Sequence, residues 1–196
     1  MVTKEYLDAK ERALAKLKTA SVHHKVDEGI LPVLEMLNKM EGVYTTSSCA
    51  GRIVLLQIPR LGDKREALFL GIWHRLITPA ELSSAAKKAT EGMLWLLAQA
   101  PILHIGAENP EIANSLVKLA VSSGFKNSAI KTIGKKTMIE LSSTERLDAP
   151  IGRNGCLFCE GDYLHLLTEI ANEVIERSQQ KLIRLERNLK NIGLGL

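Results

Sequence analysis

Apolar residues along this chain recur at two different periods, and the order in which the periods alternate limits the fold more than any other feature. Spacing of three and four predicts helices carrying Leu7, Leu14 and Leu17 behind Thr3, and Ile30, Val33, Leu34, Leu37 and Met40 behind Asp27. The same spacing recurs at Leu82, Ala85, Ala86, Ala89 and Met93, and at Ile112, Ala113, Leu116, Val117 and Ala120. Thr78-Pro79-Ala80-Glu81 supplies a hydroxyl cap, a proline at the first position and a glutamate that closes a capping box. Short apolar runs over 43–46, 53–58, 67–73, 94–98 and 102–105 predict strands, and 129–133 with 137–141 predict a hairpin. A final helix capped by Asp162 advances Leu164, Leu167, Ala171, Val174, Leu182, Leu185 and Leu189 at near-heptad spacing. The stretch 142–161 between hairpin and helix has no clear period and reads as a long loop. This order is neither a regular βαβ alternation nor an all-β series, so the class is α+β. No GxGxxG follows a strand, which speaks against a Rossmann fold.

Composition narrows the class further. The 196 residues are 45% hydrophobic and 24% charged, which is ordinary for a globular protein and predicts a single compact domain over 1–196. Apolar runs fall short of the ~20 residues that span a bilayer, and the charged N-terminus lacks a secretory apolar core, so a cytoplasmic protein without a membrane partner is expected. The excess of 26 basic over 22 acidic residues gives +4, which permits an RNA partner without requiring one. A basic loop at Arg60, Lys64 and Arg65 can face phosphate or water equally well, and Lys135 and Lys136 form an exposed basic hairpin tip. Three cysteines do not make a secreted disulfide framework, and Cys156 with Cys159 is a lone CxxC where structural zinc asks for two more ligands. No metal is expected, although a metal- or thiol-dependent module centred on Cys49, Cys156 and Cys159 is one functional class to weigh.

The most chemically loaded stretch is Thr45-Thr46-Ser47-Ser48-Cys49-Ala50-Gly51-Arg52. Four consecutive hydroxyls offer short donors and acceptors, glycine permits a positive φ or a close approach, and arginine is a planar fork for phosphate or carboxylate. The stretch reads as an anion or nucleotide cradle in a loop. The plainer alternative is a hairpin turn whose hydroxyls satisfy their own backbone.

Together with Lys25-Val26-Asp27, His74, Ile102-Leu103-His104-Ile105 and Gly124-Phe125-Lys126-Asn127-Ser128, this stretch resembles the tRNA wybutosine-synthesising protein 3 family. The resemblance runs from about Lys4 to Leu189. It implies a curved, barrel-like mixed β-sheet with helices packed outside. It also implies an S-adenosylmethionine-dependent methyltransferase acting on N4 of a 7-aminocarboxypropyl-4-demethylwyosine-type base at position 37, in the anticodon loop of phenylalanine tRNA. Methyl transfer to a ring nitrogen needs alignment and a proton acceptor, for which Asp27, His74 and His104 are the candidates. Each has a plainer role too: helix cap, strand end, and satisfied histidine on a sheet face opposite Leu103 and Ile105. Lys25, Thr46, Ser47, Ser48, Cys49, Gly51, Arg52 and Ser128 are the candidates for holding cofactor or RNA. The competing reading is a noncatalytic RNA-binding or scaffold protein of the same pathway.

Overall fold

The computed structural model describes residues 3–63, 65–134 and 136–193, so Lys64 and Lys135 of the two basic loops lie outside the described residues. Within them are five α-helices, a short 3-10 turn and nine strands arranged as two sheets. The α+β class holds. Each of the observed pairings is antiparallel, which excludes a Rossmann sheet and replaces the mixed sheet implied by the resemblance. Among the described residues no crossover returns a strand parallel to its neighbour, as a mixed sheet requires.

Packing divides the chain into two compact units. Unit 1 comprises 1–50, 101–144 and 178–196, and unit 2 comprises 51–100 and 145–177. Unit 1 holds α1 (Lys4–Val22), the 3-10 turn (Glu28–Ile30), α2 (Leu31–Lys39), β1 (Val43–Cys49), β5 (Ile102–Ala107), α4 (Pro110–Ser122), β6 (Ala129–Thr132), β7 (Thr137–Ser142) and the second part of α5 (Gly161–Gly193). Its strands run in the order β1-β5-β7-β6. One face of this sheet presents Val43, Leu103, Ile105, Ile139 and Leu141 to Leu34 and Leu37 of α2, Leu116 of α4 and Leu182, Leu185 and Leu189 of α5. The other face begins with Tyr44, whose ring meets that of Tyr6 edge-on at 5.4 Å. Gly106 makes room for that ring: a Cβ there would stand 2.2 Å from Tyr44 Cζ. Thr3 caps α1 by accepting from Tyr6 N–H at 3.2 Å, as its position before the periodic residues predicts.

Unit 2 holds β2 (Arg52–Ile58), β3 (Leu68–Trp73), α3 (Pro79–Ala86), β4 (Met93–Gln99), β8 (Arg146–Arg153), β9 (Cys156–Leu157) and the first part of α5. The strand order is β3-β2-β4-β8-β9. Ile53, Leu55, Leu94, Leu96 and Ile151 pack against Leu82 of α3 and Leu164, Leu167, Ala171 and Ile175 of α5. The capping box forms as predicted, with Thr78 Oγ1 accepting from Glu81 N–H and Glu81 from Thr78 N–H. Asp162, read as the cap of α5, stands inside its first turn, where a carboxylate still faces the positive end of the helix dipole.

Two stretches read as loops are strands. The hydroxyl run through Cys49 belongs to β1, because its backbone pairs with β5 whatever its side chains prefer. The unperiodic stretch 142–161 contains β8, which pairs along the whole of β4. Among the described residues no helix is long and apolar enough to cross a membrane.

Candidate active site

In unit 1 the site is built on an irregularity of β1. Thr45 pairs with Ile105 and Ser48 with Leu103, so Thr46 and Ser47 together stand opposite the single residue His104. Such a bulge re-aims a side chain. Strict alternation would turn Ser47 towards the face of Leu103 and Ile105. Instead its Oγ lies 3.0 Å from His104 Nδ1, while Thr46 Oγ1 donates to the His104 carbonyl at 3.1 Å. Thr45, before the bulge, is buried and locked by Asn38, which accepts from its N–H and donates to its Oγ1, both at 2.8 Å.

His104 points away from the core, as its place between Leu103 and Ile105 predicts. Its Nε2 meets Glu140 Oε2 at 3.2 Å, and Glu140 stands directly opposite it on β7. Lys131 Nζ on β6 reaches the other carboxylate oxygen at 2.8 Å. The Lys131 ammonium is the main cause that holds Glu140 below the usual carboxylate range, aided by the His104 ring against a desolvation cost. One polar side chain from each strand thus forms a row across the sheet: Ser47, His104, Glu140 and Lys131.

At the end of β1, Ser48 Oγ is buried with no hydrogen-bond partner among the described residues, and such groups in native proteins call for an explanation such as a ligand. Cys49 is half-buried, with its Sγ within 4.8 Å of an Asp27 carboxylate oxygen. Asp27 Oδ2 accepts from Ala50 N–H at 2.8 Å and makes no helix-capping bond, so its side chain clamps the strand end and does not cap a helix. Gly51 follows at φ 95°, a conformation that disfavours any side chain. Lys25 is exposed just before this clamp. Ser128 donates to the Phe125 carbonyl at 2.7 Å and so closes the turn after α4.

In unit 2, Arg52 opens β2 opposite Gln99, and its Nε donates to Gln99 Oε1 at 3.1 Å. Ile53 pairs with Trp73, so the exposed His74 leaves β3 at the same end of the sheet as Arg52. Gln99 also pairs with Arg146, an exposed residue that makes an ion pair with Asp148. Cys156 is exposed on β9, whereas Cys159 is buried in the unit 2 core and its thiol is pushed up by that burial. The CxxC therefore divides into a surface thiol and a core thiol.

The sequence therefore marked Ser47 and His104, which the fold brings into contact, and Arg52 and His74, which share one sheet end. It did not mark Glu140, Lys131, Gln99 or Arg146. A signal existed for Glu140: a lone charge between Ile139 and Leu141 in a run read as a strand has to face away from the core.

Comparison with known proteins extends over nearly the whole chain. The profile described as Methyltransferase TYW3 matches residues 8–191. A Pyrococcus horikoshii protein named "tRNA(Phe) 7-((3-amino-3-carboxypropyl)-4-demethylwyosine(37)-N(4))-methyltransferase 1" is 46% identical over 192 residues, covering 97% of this chain and 98% of the relative. A Thermococcus kodakarensis protein of the same name is 40% identical, with 98% of each chain covered. A solved structure of a Pyrococcus horikoshii protein superposes with a TM-score of 0.91 at 45% identity, covering 95% of this chain and 96% of its own. A hypothetical protein from Aeropyrum pernix gives 0.73 at 29% identity, covering 84% and 98%.

Proposed function

This chain belongs to the Methyltransferase TYW3 family, and from that membership we propose that it methylates N4 of 7-aminocarboxypropyl-4-demethylwyosine at position 37 of phenylalanine tRNA. The observation that carries the reading is the end-to-end match to relatives named for this reaction, 46% identical over 97% of the chain. The reaction belongs to wybutosine synthesis, and the reading assigns the enzyme to the cytoplasm because its substrate is a tRNA.

S-adenosylmethionine supplies an electrophilic methyl group on sulfur. The residues of the hydroxyl stretch suit such a ligand: Ser48 has a buried hydroxyl without a partner among the described residues, and Gly51 turns the chain at a φ of 95°. Thr46, Ser47, Ser48, Cys49, Gly51 and Arg52, together with Lys25 and Ser128, are the residues assigned to cofactor or RNA. Arg52 takes the carboxylate of the methionyl group or a tRNA phosphate, since its Nε is already steadied by Gln99 and the guanidinium plane is thereby fixed. Asp27, His74 and His104 are the proton acceptors to be tested. The two units act as one methyltransferase domain. The chain passes between them four times, at Ala50, Ala100, Thr144 and Arg177, so neither is a separable segment.

Position 37 lies in a single-stranded loop, so presenting the base costs little more than unstacking, and selection rests on the enlarged tricycle. A bicyclic guanine in the same pocket misplaces its nitrogen, and small misplacements are costly in an in-line transfer. The test offers labelled S-adenosylmethionine with tRNA from cells lacking this enzyme, with mature tRNA and with an unmodified transcript. Label at position 37 in the first sample alone is expected. Equal labelling of the transcript points to another methyltransferase, and tRNA binding with no label anywhere points to a noncatalytic protein.

A further inference from the structure

Resting on that reading, we propose that Ser47, His104 and Glu140 form a proton relay in which Glu140 fixes the His104 tautomer and Ser47 receives the proton of the methylated nitrogen. Donor and acceptor counting across the outer face of the unit 1 sheet leads there. Glu140 is held ionised by Lys131 at 2.8 Å, and an ionised carboxylate only accepts hydrogen bonds. The hydrogen between His104 Nε2 and Glu140 Oε2, 3.2 Å apart, therefore sits on Nε2. A neutral imidazole carries one N–H, so Nδ1 is left as an acceptor. Ser47, 3.0 Å from Nδ1, must then be the donor in that contact. With its hydrogen committed to the ring, Ser47 Oγ keeps its remaining lone-pair capacity for an incoming N–H.

The row reaches solvent where the relay needs it. Ser47 is exposed, the His104 side chain is 39% exposed and Glu140 is 25% exposed. The bulge in β1 gives Ser47 this orientation, and the Thr46 hydroxyl holds the bulge against the His104 carbonyl at 3.1 Å. In the reaction the N4 proton moves to Ser47 Oγ while the Ser47 proton moves to His104 Nδ1. Serine is unchanged at the end, and the positive charge lost from the donor's sulfonium appears on the imidazolium beside an ionised Glu140. Water later removes that proton. Ser47 is thus the catalytic group in contact with substrate, and Glu140 and Lys131 are positioning residues.

The experiment combines nitrogen NMR of the His104 ring with single-turnover methylation of the tRNA that carries the immature base. In the parent, Nε2 should appear protonated and Nδ1 unprotonated. Glu140→Gln keeps the shape but can donate as well as accept, so it should give mixed tautomers. It should also lower the rate of transfer by about 10- to 100-fold, within the range of general acid–base effects, with tRNA affinity unchanged. Ser47→Ala should lower the rate similarly while leaving the His104 tautomer as in the parent, a separation that a purely structural role would not produce. An active parent with Nδ1 protonated, or an active parent whose rate Glu140→Gln leaves unchanged, overturns the relay alone. A parent that methylates none of the tRNAs overturns the functional reading and removes the relay with it.

Discussion

Arg52 and Gln57 sit at opposite ends of β2, and each is tied to a side chain or backbone partner by geometry that only its own residue type provides. Gln57 accepts from Thr90 N–H at 2.8 Å and donates to Thr90 Oγ1 at 3.2 Å, which uses both halves of its amide in a buried place. Arg52 spends Nε on Gln99, which fixes the plane of a fork that is itself half-buried. A lysine supplies charge but neither the plane nor the paired donors. Arg52→Lys is therefore expected to be nearly as damaging as Arg52→Ala, each lowering transfer by about tenfold or more, the scale of one lost charge-assisted hydrogen bond of ~1.5–3 kcal/mol. Affinities for S-adenosylmethionine and for tRNA, measured separately on both variants, show which anion Arg52 holds. Full recovery by lysine would reduce Arg52 to a point charge. Sequence exposed His104 as a chemistry-bearing residue because it breaks an apolar run, and Arg52 because it closes the hydroxyl stretch just ahead of one. It could not reveal that Ser47 touches His104, since that contact depends on one extra residue in a strand whose register only pairing decides.

Among the elements, α3 was the most legible, because its start is written in four consecutive residues whose bonds are local. Thr78→Ala should lower stability by about 1 kcal/mol, as loss of a good cap does. Glu81 adds a pH signature. The Arg75 guanidinium, first, and the Thr78 amide, second, hold its carboxyl down to about 2. Its folded value lies below the unfolded one of ~4.3, so its contribution is complete above that range and is lost as pH falls towards 2. Urea midpoints of the parent and of Glu81→Gln should therefore differ at pH 7 and converge near pH 2, and a gap that persisted in acid would remove the carboxylate from the explanation. β8 was the least legible element. Its Pro150 and Gly152 discourage a strand, and its half-buried Leu147 and Ala149 alternate with exposed residues only once β4 lies beside them. Pro150 pairs with Trp95 where the register shifts, a position at which a missing N–H is tolerated. The hydroxyl stretch of β1 was misread for the same reason: tertiary pairing outweighed a turn-like composition.

At the scale of the molecule, α5 supplies core residues to both units, Leu164, Leu167, Ala171 and Ile175 to one and Leu182, Leu185 and Leu189 to the other. If the two units are one cooperative domain, damage to either core should be felt by a probe in the other. Both tryptophans of the chain, Trp73 and Trp95, belong to unit 2. Leu185→Ala removes a fully buried side chain from unit 1 and should cost about 2–5 kcal/mol. It should lower the urea midpoint seen by tryptophan fluorescence as much as the midpoint seen by far-ultraviolet circular dichroism. Fluorescence that stayed at the parent midpoint would mean that the units melt independently. Because α5 also follows every strand in chain order, a ribosome finishes both sheets before it makes the helix that completes the cover of their apolar faces. At ~5–20 residues per second, the 33 residues of α5 take about 2–7 s to emerge. For those seconds the nascent chain carries two hydrophobic faces that α2, α3 and α4 cover only in part, which makes the interval before α5 docks the time when this protein most needs a chaperone.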